Sequence, residues 1–236
     1  MSKFKIVETL FESFANLINP DWIMNQGGLY LVLVILFVET GLFFGFFLPG
    51  DVLLFISGII LASADQTVHV FGHNVVDLVF WQVLFIGSTI LGNFVGYWFG
   101  SKFGHSLFYQ GRKFLFLKQK HITAAQQFYE KRGGFAVTMA RFLPIARTFV
   151  PIIAGMVKMN FKQFTYYNIL GGILWVGGLT TLGFYLGKRA WIADNLEWAI
   201  LAVLVLASLP VIIKMIFSGK SAASRKKNIT KTSIGE

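Results

Sequence analysis

The sequence predicts an all-helical integral membrane protein. The expected plan is an inverted repeat of two opposed re-entrant, broken hairpins, each followed by a transmembrane helix. An N-terminal amphipathic helix and a C-terminal transmembrane helix complete it. Three observations predict this class. First, the 236 residues are 55% hydrophobic and only 14% charged, with mean hydropathy +0.64, a balance that suits a multi-pass membrane protein rather than a soluble domain. Second, the apolar stretches are cut by prolines, glycines and charges. Third, short patterns recur in the same order: Phe47-Leu48-Pro49 is echoed by Phe142-Leu143-Pro144, and Gly96-Tyr97-Trp98-Phe99-Gly100 by Gly183-Phe184-Tyr185-Leu186-Gly187, each of the latter followed closely by a lysine.

Residues 1–21 form the expected amphipathic segment. Phe4, Val7, Leu10, Phe11, Phe14, Leu17 and Ile18 fall at helical spacing among Lys3, Lys5, Glu8 and Glu12. The helix lies in the membrane interface or packs on the protein's own flank. Asn19-Pro20-Asp21 ends it, and no cleavable signal pattern is visible. Residues 22–217 form the membrane domain. Its first hairpin spans residues 29–64: a 20-residue apolar run over 29–48 holding Glu39, a break at Pro49-Gly50-Asp51, then 13 apolar residues over 52–64. The second limb is too short to cross a bilayer comfortably.

Residues 65–77 carry no Lys or Arg, so the positive-inside rule places them outside. A span over 78–100 follows. The loop 101–134 holds seven basic residues against Glu130 and is expected in the cytoplasm, with helical character over 123–129. The second hairpin covers residues 135–157. Spans over 164–187 and 198–217 come next, the latter with Lys214 placed to snorkel. The basic tail 218–236 is expected to be cytoplasmic. A true first hairpin puts the N-terminus outside, whereas a full first span puts it inside.

The second hairpin holds two arginines among apolar residues. An unpaired arginine at mid-bilayer costs about 2.5–3.5 kcal/mol on insertion scales. Arg141 and Arg147 therefore need partners, water or an anionic ligand. One smooth helix would turn about 600° between them, leaving them apart around its axis. Pro144 and Pro151 each remove a backbone donor, so both are expected to break the hairpin, as Pro49 and Gly50 break the first. Broken backbone at membrane depth persists only inside protein or beside a watery cavity. Paired broken elements in two halves point to a transporter site near the midplane.

Four ionisable residues fall in these elements: Glu39 and Asp51, Arg141 and Arg147. Burial disfavours a carboxylate and a nearby guanidinium favours it. Glu39 is thus the candidate proton carrier, with Asp51 beside it. The plain alternatives are that Glu39 is only a counter-ion and that Asp51 caps the helix after Pro-Gly. Arg147 and Thr148 stand at an expected helix start, where backbone amides and a guanidinium suit an anion, phosphate above all. Arg141, across the Pro144 turn, could close a clamp on it. Otherwise both arginines merely neutralise the two acids, although buried pairs seldom add net stability.

The absence of cysteine excludes disulfides, thiol catalysis and Cys-ligated metals. A net charge of +10 alone is compatible with nucleic acid, but the basic residues cluster in loops and tail as they do for anionic lipid headgroups. His69, His73, His105 and His121 read as loop residues, and none supports a metal site. No Ser–His arrangement or second intramembrane aspartate supports an enzyme. No cofactor is expected. Asn93 and Ser88 read as interhelical hydrogen-bonders. Gly171, Gly172, Gly177 and Gly178 read as helix-packing positions.

The segment from Glu39 through Pro49-Gly50-Asp51, and that from Gly134-Phe135 through Arg141-Phe-Leu-Pro-Ile-Ala-Arg147-Thr to Ala154-Gly155, resemble the two signatures of the DedA family of bacterial inner-membrane proteins, which carry a VTT (SNARE-associated) domain. The likeness runs from about Leu29 to Gly187. It implies two opposed re-entrant hairpins and kinship with eukaryotic lipid scramblases. It also implies proton-motive-force-dependent translocation of a lipid, undecaprenyl phosphate or a phospholipid, in support of envelope homeostasis. By motif position it assigns function to Glu39, Asp51, Arg141 and Arg147. The expected protein is a multi-pass inner-membrane lipid translocase with a cytoplasmic C-terminus. It binds membrane lipids and protons, not nucleic acid, and homo-oligomers are compatible with it. The alternative is a proton/cation antiporter, acting in pH and membrane-potential homeostasis, that needs the carboxylates but no phosphate clamp.

Overall fold

The computed structural model describes residues 20–42, 48–63, 70–109, 134–189, 195, 198 and 199. Among these, every regular element is helical: α1 (Pro20–Gln26), α2 (Gly28–Gly41), α3 (Gly50–Ala62), α4 (Asn74–Tyr109), α5 (Phe135–Ala140), α6 (Pro144–Met156) and α7 (Phe161–Gly187). The segment expected as an interfacial helix before residue 20, His69, residues 110–133 of the expected basic loop with His121, the expected span after residue 199 and the tail lie outside the described residues.

Local chemistry sets the boundaries. Gly27 and Gly28 adopt φ of 143° and 59°, which only glycine accepts readily, and they separate α1 from α2. Pro144 stands in the first turn of α6, where its missing N–H costs nothing. Asn160 caps α7, its side chain accepting from the amides of Lys162 at 3.0 Å and Gln163 at 3.2 Å. At 1.5 Å per residue α2 and α3 each reach roughly 20 Å, short of the roughly 30 Å hydrocarbon layer. Asn74–Phe103 and Phe161–Gly187 are long and apolar enough to cross a membrane. The first of these is longer than the expected 78–100, and α4 runs on to Tyr109. It therefore takes in His105, which sequence patterning had placed in a loop.

One expected break is corrected. Pro151 lies inside α6, which continues through it. The chain instead turns at residues 141–143, before Pro144. The Pro151 ring packs onto Gly96 of α4, where an added Cβ would sit 3.4 Å away.

Helix packing exchanges partners between the halves. The limbs α2 and α3 pack chiefly on α4 and α7 respectively, and α5 and α6 on α7 and α4. Each first limb thus packs on the long helix of its own half, and each second limb crosses the long helix of the other. Within lipid such contacts depend on close approach rather than on apolar burial. The echoed glycines supply it. A Cβ at Gly58 would collide with the Thr180 carbonyl, and one at Gly183 with that of Phe55. Likewise a Cβ at Gly100 would strike the Ile152 carbonyl, and one at Gly155 that of Tyr97. One glycine of each Gly-x-x-x-Gly motif, Gly100 and Gly183, therefore lies at a corresponding helix crossing.

The surface reverses the pattern of a water-soluble fold. Val75, Val79, Val83 and Leu91 of α4, with Tyr166, Ile173, Leu182 and Tyr185 of α7, are exposed, while Glu39, Arg141, Arg147 and Asn168 are buried.

Candidate functional site

The four charges come from three elements and one turn. Glu39 lies in the last turn of α2 and Asp51 in the first turn of α3. Arg147 lies in the first turn of α6, and Arg141 in the turn between α5 and α6. The α2–α3 break and the α5–α6 turn bring these positions together, so the helix starts of α3 and α6 both border the cluster.

Arg147 takes both acids. Its Nη2 donates to Glu39 Oε1, and its Nη1 donates to Asp51 Oδ1 at 2.6 Å. The Trp175 indole N–H donates to the same Asp51 oxygen at 2.8 Å, and the Arg147 guanidinium lies 4.8 Å from the Trp175 ring centroid. Glu39 Oε1 also accepts from the Gly50 amide at 3.3 Å. Gly50 is required sterically, since a Cβ there would overlap the Glu39 carboxylate. Glu39 is fully buried, and its Oε2 has no hydrogen-bond partner. A buried acceptor left unmatched beside an ion pair is a place where a proton could be held.

Asp51 is not a helix cap. The residue before α3 is Pro49, no side chain caps it, and the Asp51 carboxylate points to Arg147 and Trp175. The free amides at the start of α3 still favour negative charge there. Thr148 is buried, and its hydroxyl faces the main-chain carbonyl of Glu39 at 3.5 Å, at the limit of a hydrogen bond.

Arg141 is housed differently. It is 3% exposed, and among the described residues it has no carboxylate partner. Its Nη2 donates to Asn168 Oδ1 at 2.6 Å, and its Nη1 approaches Thr89 Oγ1 at 3.4 Å. Its Nε has no partner. Asn93 stands beside this pair on α4, and with its amide turned to suit its neighbours its oxygen accepts from Arg141 Nη2 at 2.8 Å while its N–H donates to the Thr40 carbonyl at 3.2 Å. Two acids and two bases therefore do not pair one to one, as a plain neutralisation scheme would require. Arg141 also lies 6.0 Å from the Trp175 ring centroid, so one indole borders both guanidinium groups.

Sequence reasoning passed over Trp175, Asn168 and Thr89. Trp175 did carry a signal. It sits midway along α7, away from the interfaces where tryptophan is usual, and a buried indole N–H needs an acceptor. Asn93 and Ser88 do bond across helices, Asn93 to the Thr40 carbonyl and Ser88 to the Leu33 carbonyl at 2.6 Å. Gly171 and Gly172 make room for Arg141, whose Cδ would be 2.7 Å from a Cβ on Gly171. Gly177 and Gly178 have nothing within 4 Å of an added Cβ, so they pack no helix among the described residues. Nor do those residues group three or more His, Cys, Asp or Glu as a metal would need.

This arrangement sets the carboxylates of one half against the guanidinium groups of the other inside the protein. Comparison with known proteins supplies its context. Residues 29–185 match the VTT domain. The protein DedA of Escherichia coli K12 is 37% identical over 84% of this chain and 86% of its own. An uncharacterized membrane protein of Mycobacterium leprae is 37% identical over 83% of each chain. The inner membrane protein YqjA of Escherichia coli K12 is 35% identical over 75% of this chain and 74% of its own. No solved structure matches the chain. With apolar helices long enough to span, an inward-facing charged cluster and relatives aligned along most of its length, this chain belongs to the DedA family of VTT-domain membrane proteins.

Proposed function

We propose that the protein translocates a lipid with an anionic phosphate headgroup across the bacterial inner membrane, driven by the proton motive force. Undecaprenyl phosphate and phospholipids are the candidate cargoes, and the outcome is envelope homeostasis. In this reading the α2–α3 and α5–α6 pairs are re-entrant hairpins entering from opposite faces. Residues 22–217 form one membrane domain, and the basic tail is cytoplasmic. YqjA, named as an inner membrane protein, supports the location.

The observation that carries the proposal is the shared arginine. Glu39 from one half and Asp51 beside it both hold Arg147 from the other half, with Arg141 across the Trp175 ring. At rest Arg147 is closed to an incoming phosphate by its two carboxylates. A proton on Glu39 weakens that grip, and a phosphate then competes for the freed donors. Headgroup transfer and proton movement are coupled because both act on one guanidinium. Thr148 sits on the backbone of Glu39 and can steady this junction. The exposed apolar faces of α4 and α7 leave the acyl or prenyl chain in lipid while the head crosses.

The test is headgroup transfer in proteoliposomes under an imposed pH gradient. Wild-type protein is expected to move a fluorescent phosphate-bearing lipid, and Arg147→Ala to abolish the movement. Transfer that persists unchanged in Arg147→Ala removes the proposal.

One observation favours a second reading, a proton/cation antiporter without a lipid cargo. Arg147 already engages the carboxylates of both Glu39 and Asp51 without any phosphate. An exchanger would tolerate Arg→Lys at both 141 and 147, since lysine keeps the charge and loses only the forked donor geometry.

A further inference from the structure

The two long helices run antiparallel and meet along one seam. Asn93 of α4 stands level with Asn168 of α7, and Gln82 stands level with Thr180 and Thr181. Between these levels the contact is apolar. Ile86 reaches Gly172, where an added Cβ would sit 3.5 Å from its Cγ2, and the Trp175 side chain is buried. Gln82 and Asn93 are about three turns apart, roughly 16 Å of helix. The two polar levels therefore lie on either side of Trp175, both inside a hydrocarbon layer roughly 30 Å thick. They also correspond under the repeat, since Asn93 and Thr180 each stand three residues before the first glycine of an echoed motif, Gly96 and Gly183.

The closures differ. At the Asn93 level the α5–α6 turn intrudes, with Arg141 Nη2 donating to Asn168 Oδ1 at 2.6 Å. At the other level the long helices bond directly. Gln82 Nε2 donates to Thr180 Oγ1 at 2.8 Å and to Thr181 Oγ1 at 2.9 Å. The Thr180 hydroxyl donates to the Val176 carbonyl at 2.7 Å, and the Thr180 carbonyl is where Gly58 of α3 crosses. Three helices thus converge on a joint held by one glutamine.

We infer that Gln82, Thr180 and Thr181 form a gate on the path of the headgroup, a clasp between α4 and α7 that closes the end nearer the start of α4. In the proposed topology residues 65–77 lie outside, so this is the outer gate. The inference deepens the proposed function and rests on it for the identity of the cargo. Three features carry it. Hydrogen bonds between helices in lipid hold weakly, because an opened pair finds other partners, and water or a lipid headgroup offers such partners. Gln82 and Thr181 are only half-buried, so the bonds can be reached without crossing the apolar core. The clasp also has a counterpart across Trp175. In carriers built from inverted repeats one repeat rocks against the other, so opening at one level accompanies closure at the other.

The chain has no cysteine, so introduced thiols report alone. Ile86→Cys places one on α4 between the two levels. In full-length protein in liposomes, its labelling by a membrane-impermeant maleimide is timed from the outer and from the inner face. Gln82→Ala removes both donors of the clasp. It is expected to speed outer labelling at least threefold and to slow inner labelling. Helices that were merely loosened would label faster from both faces. In a second experiment the variant Gln82→Cys/Thr181→Cys is bridged by a short bis-thiosulfonate reagent and released with reductant. Transfer of a fluorescent phosphate-bearing lipid should fall at least tenfold while the bridge is in place and return on its release.

Labelling that rises from both faces in Gln82→Ala, or does not change, overturns the inference. The two claims fail separately. Lipid transfer that is the same in bridged and released protein sinks the gate and spares the translocase. Opposite changes in outer and inner labelling, with no lipid moved by the wild type, do the reverse.

Discussion

The two halves of the membrane domain share a backbone plan and differ in charge. Each offers a helix, a proline-marked turn, a second short helix and a long helix crossed at a Gly-x-x-x-Gly motif. Yet the acids of the charged cluster, buried Glu39 and half-buried Asp51, belong to the first half, and its buried bases, Arg141 and Arg147, to the second. A repeat that served only to build a scaffold would need no such division. The difference shows that the scaffold is duplicated while the site is not. The site exists only where one half's acids meet the other half's base, and Trp175 holds that junction from the side.

Removing the shared base should break the comparison most severely. Arg147→Gln leaves the buried Glu39 and the half-buried Asp51 without their cation, and breaking a buried pair in this way costs about 3–5 kcal/mol. Thermal unfolding in detergent should register that loss. The double variant Glu39→Gln/Arg147→Gln should recover part of it, since fewer uncompensated charges remain. Smaller is the effect of Trp175→Phe, which keeps an aromatic face for Arg147 and deletes the donor to Asp51. A hydrogen bond to a charged group contributes about 1.5–3 kcal/mol, and Arg147→Gln and Trp175→Phe should be non-additive because they share Asp51.

The scaffold's equivalence is sharpened by Gly58→Ala and Gly155→Ala, the glycines that the two second limbs present to the long helices. Each adds a methyl where the crossing helix backbone already fills the space, at about 1–3 kcal/mol. The two losses should match within experimental scatter if the crossings are structurally equivalent, and a loss at only one site would refute the equivalence. The smallest effect is Asn160→Ala, which removes the α7 cap for about 1 kcal/mol. It should lower Tm and leave phosphate affinity untouched, marking stability as separable from the site.

Much of this was legible from the residues. The apolar lengths gave spans over 78–100 and 164–187, and helices cover Asn74–Tyr109 and Phe161–Gly187. The second broken element was expected over 135–157, and α5 and α6 fall within it. Glu39, Arg141 and Arg147 stood out because charge in an apolar run needs an explanation. What remained hidden depends on tertiary approach. A Pro-Gly-Asp run reads equally well as a cap or an ion-pair partner until Arg147 is placed against it. Pro151 looked like a break because lost hydrogen bonds can be counted in sequence, while its packing on Gly96 cannot. Asn168 is one polar residue among many in α7 until the Arg141 side chain, six residues before Arg147, is found against it.

The crossing of α3 on α7 and of α6 on α4 also governs how the chain can be divided. Because each second limb leans on the other half's long helix, the halves are interlaced rather than stacked. Severed between residues 109 and 134, the protein would yield two pieces, each carrying an uncovered glycine groove shaped for its counterpart. Such pieces, made together in one membrane, should reassemble as complementing fragments, and either made alone should be degraded.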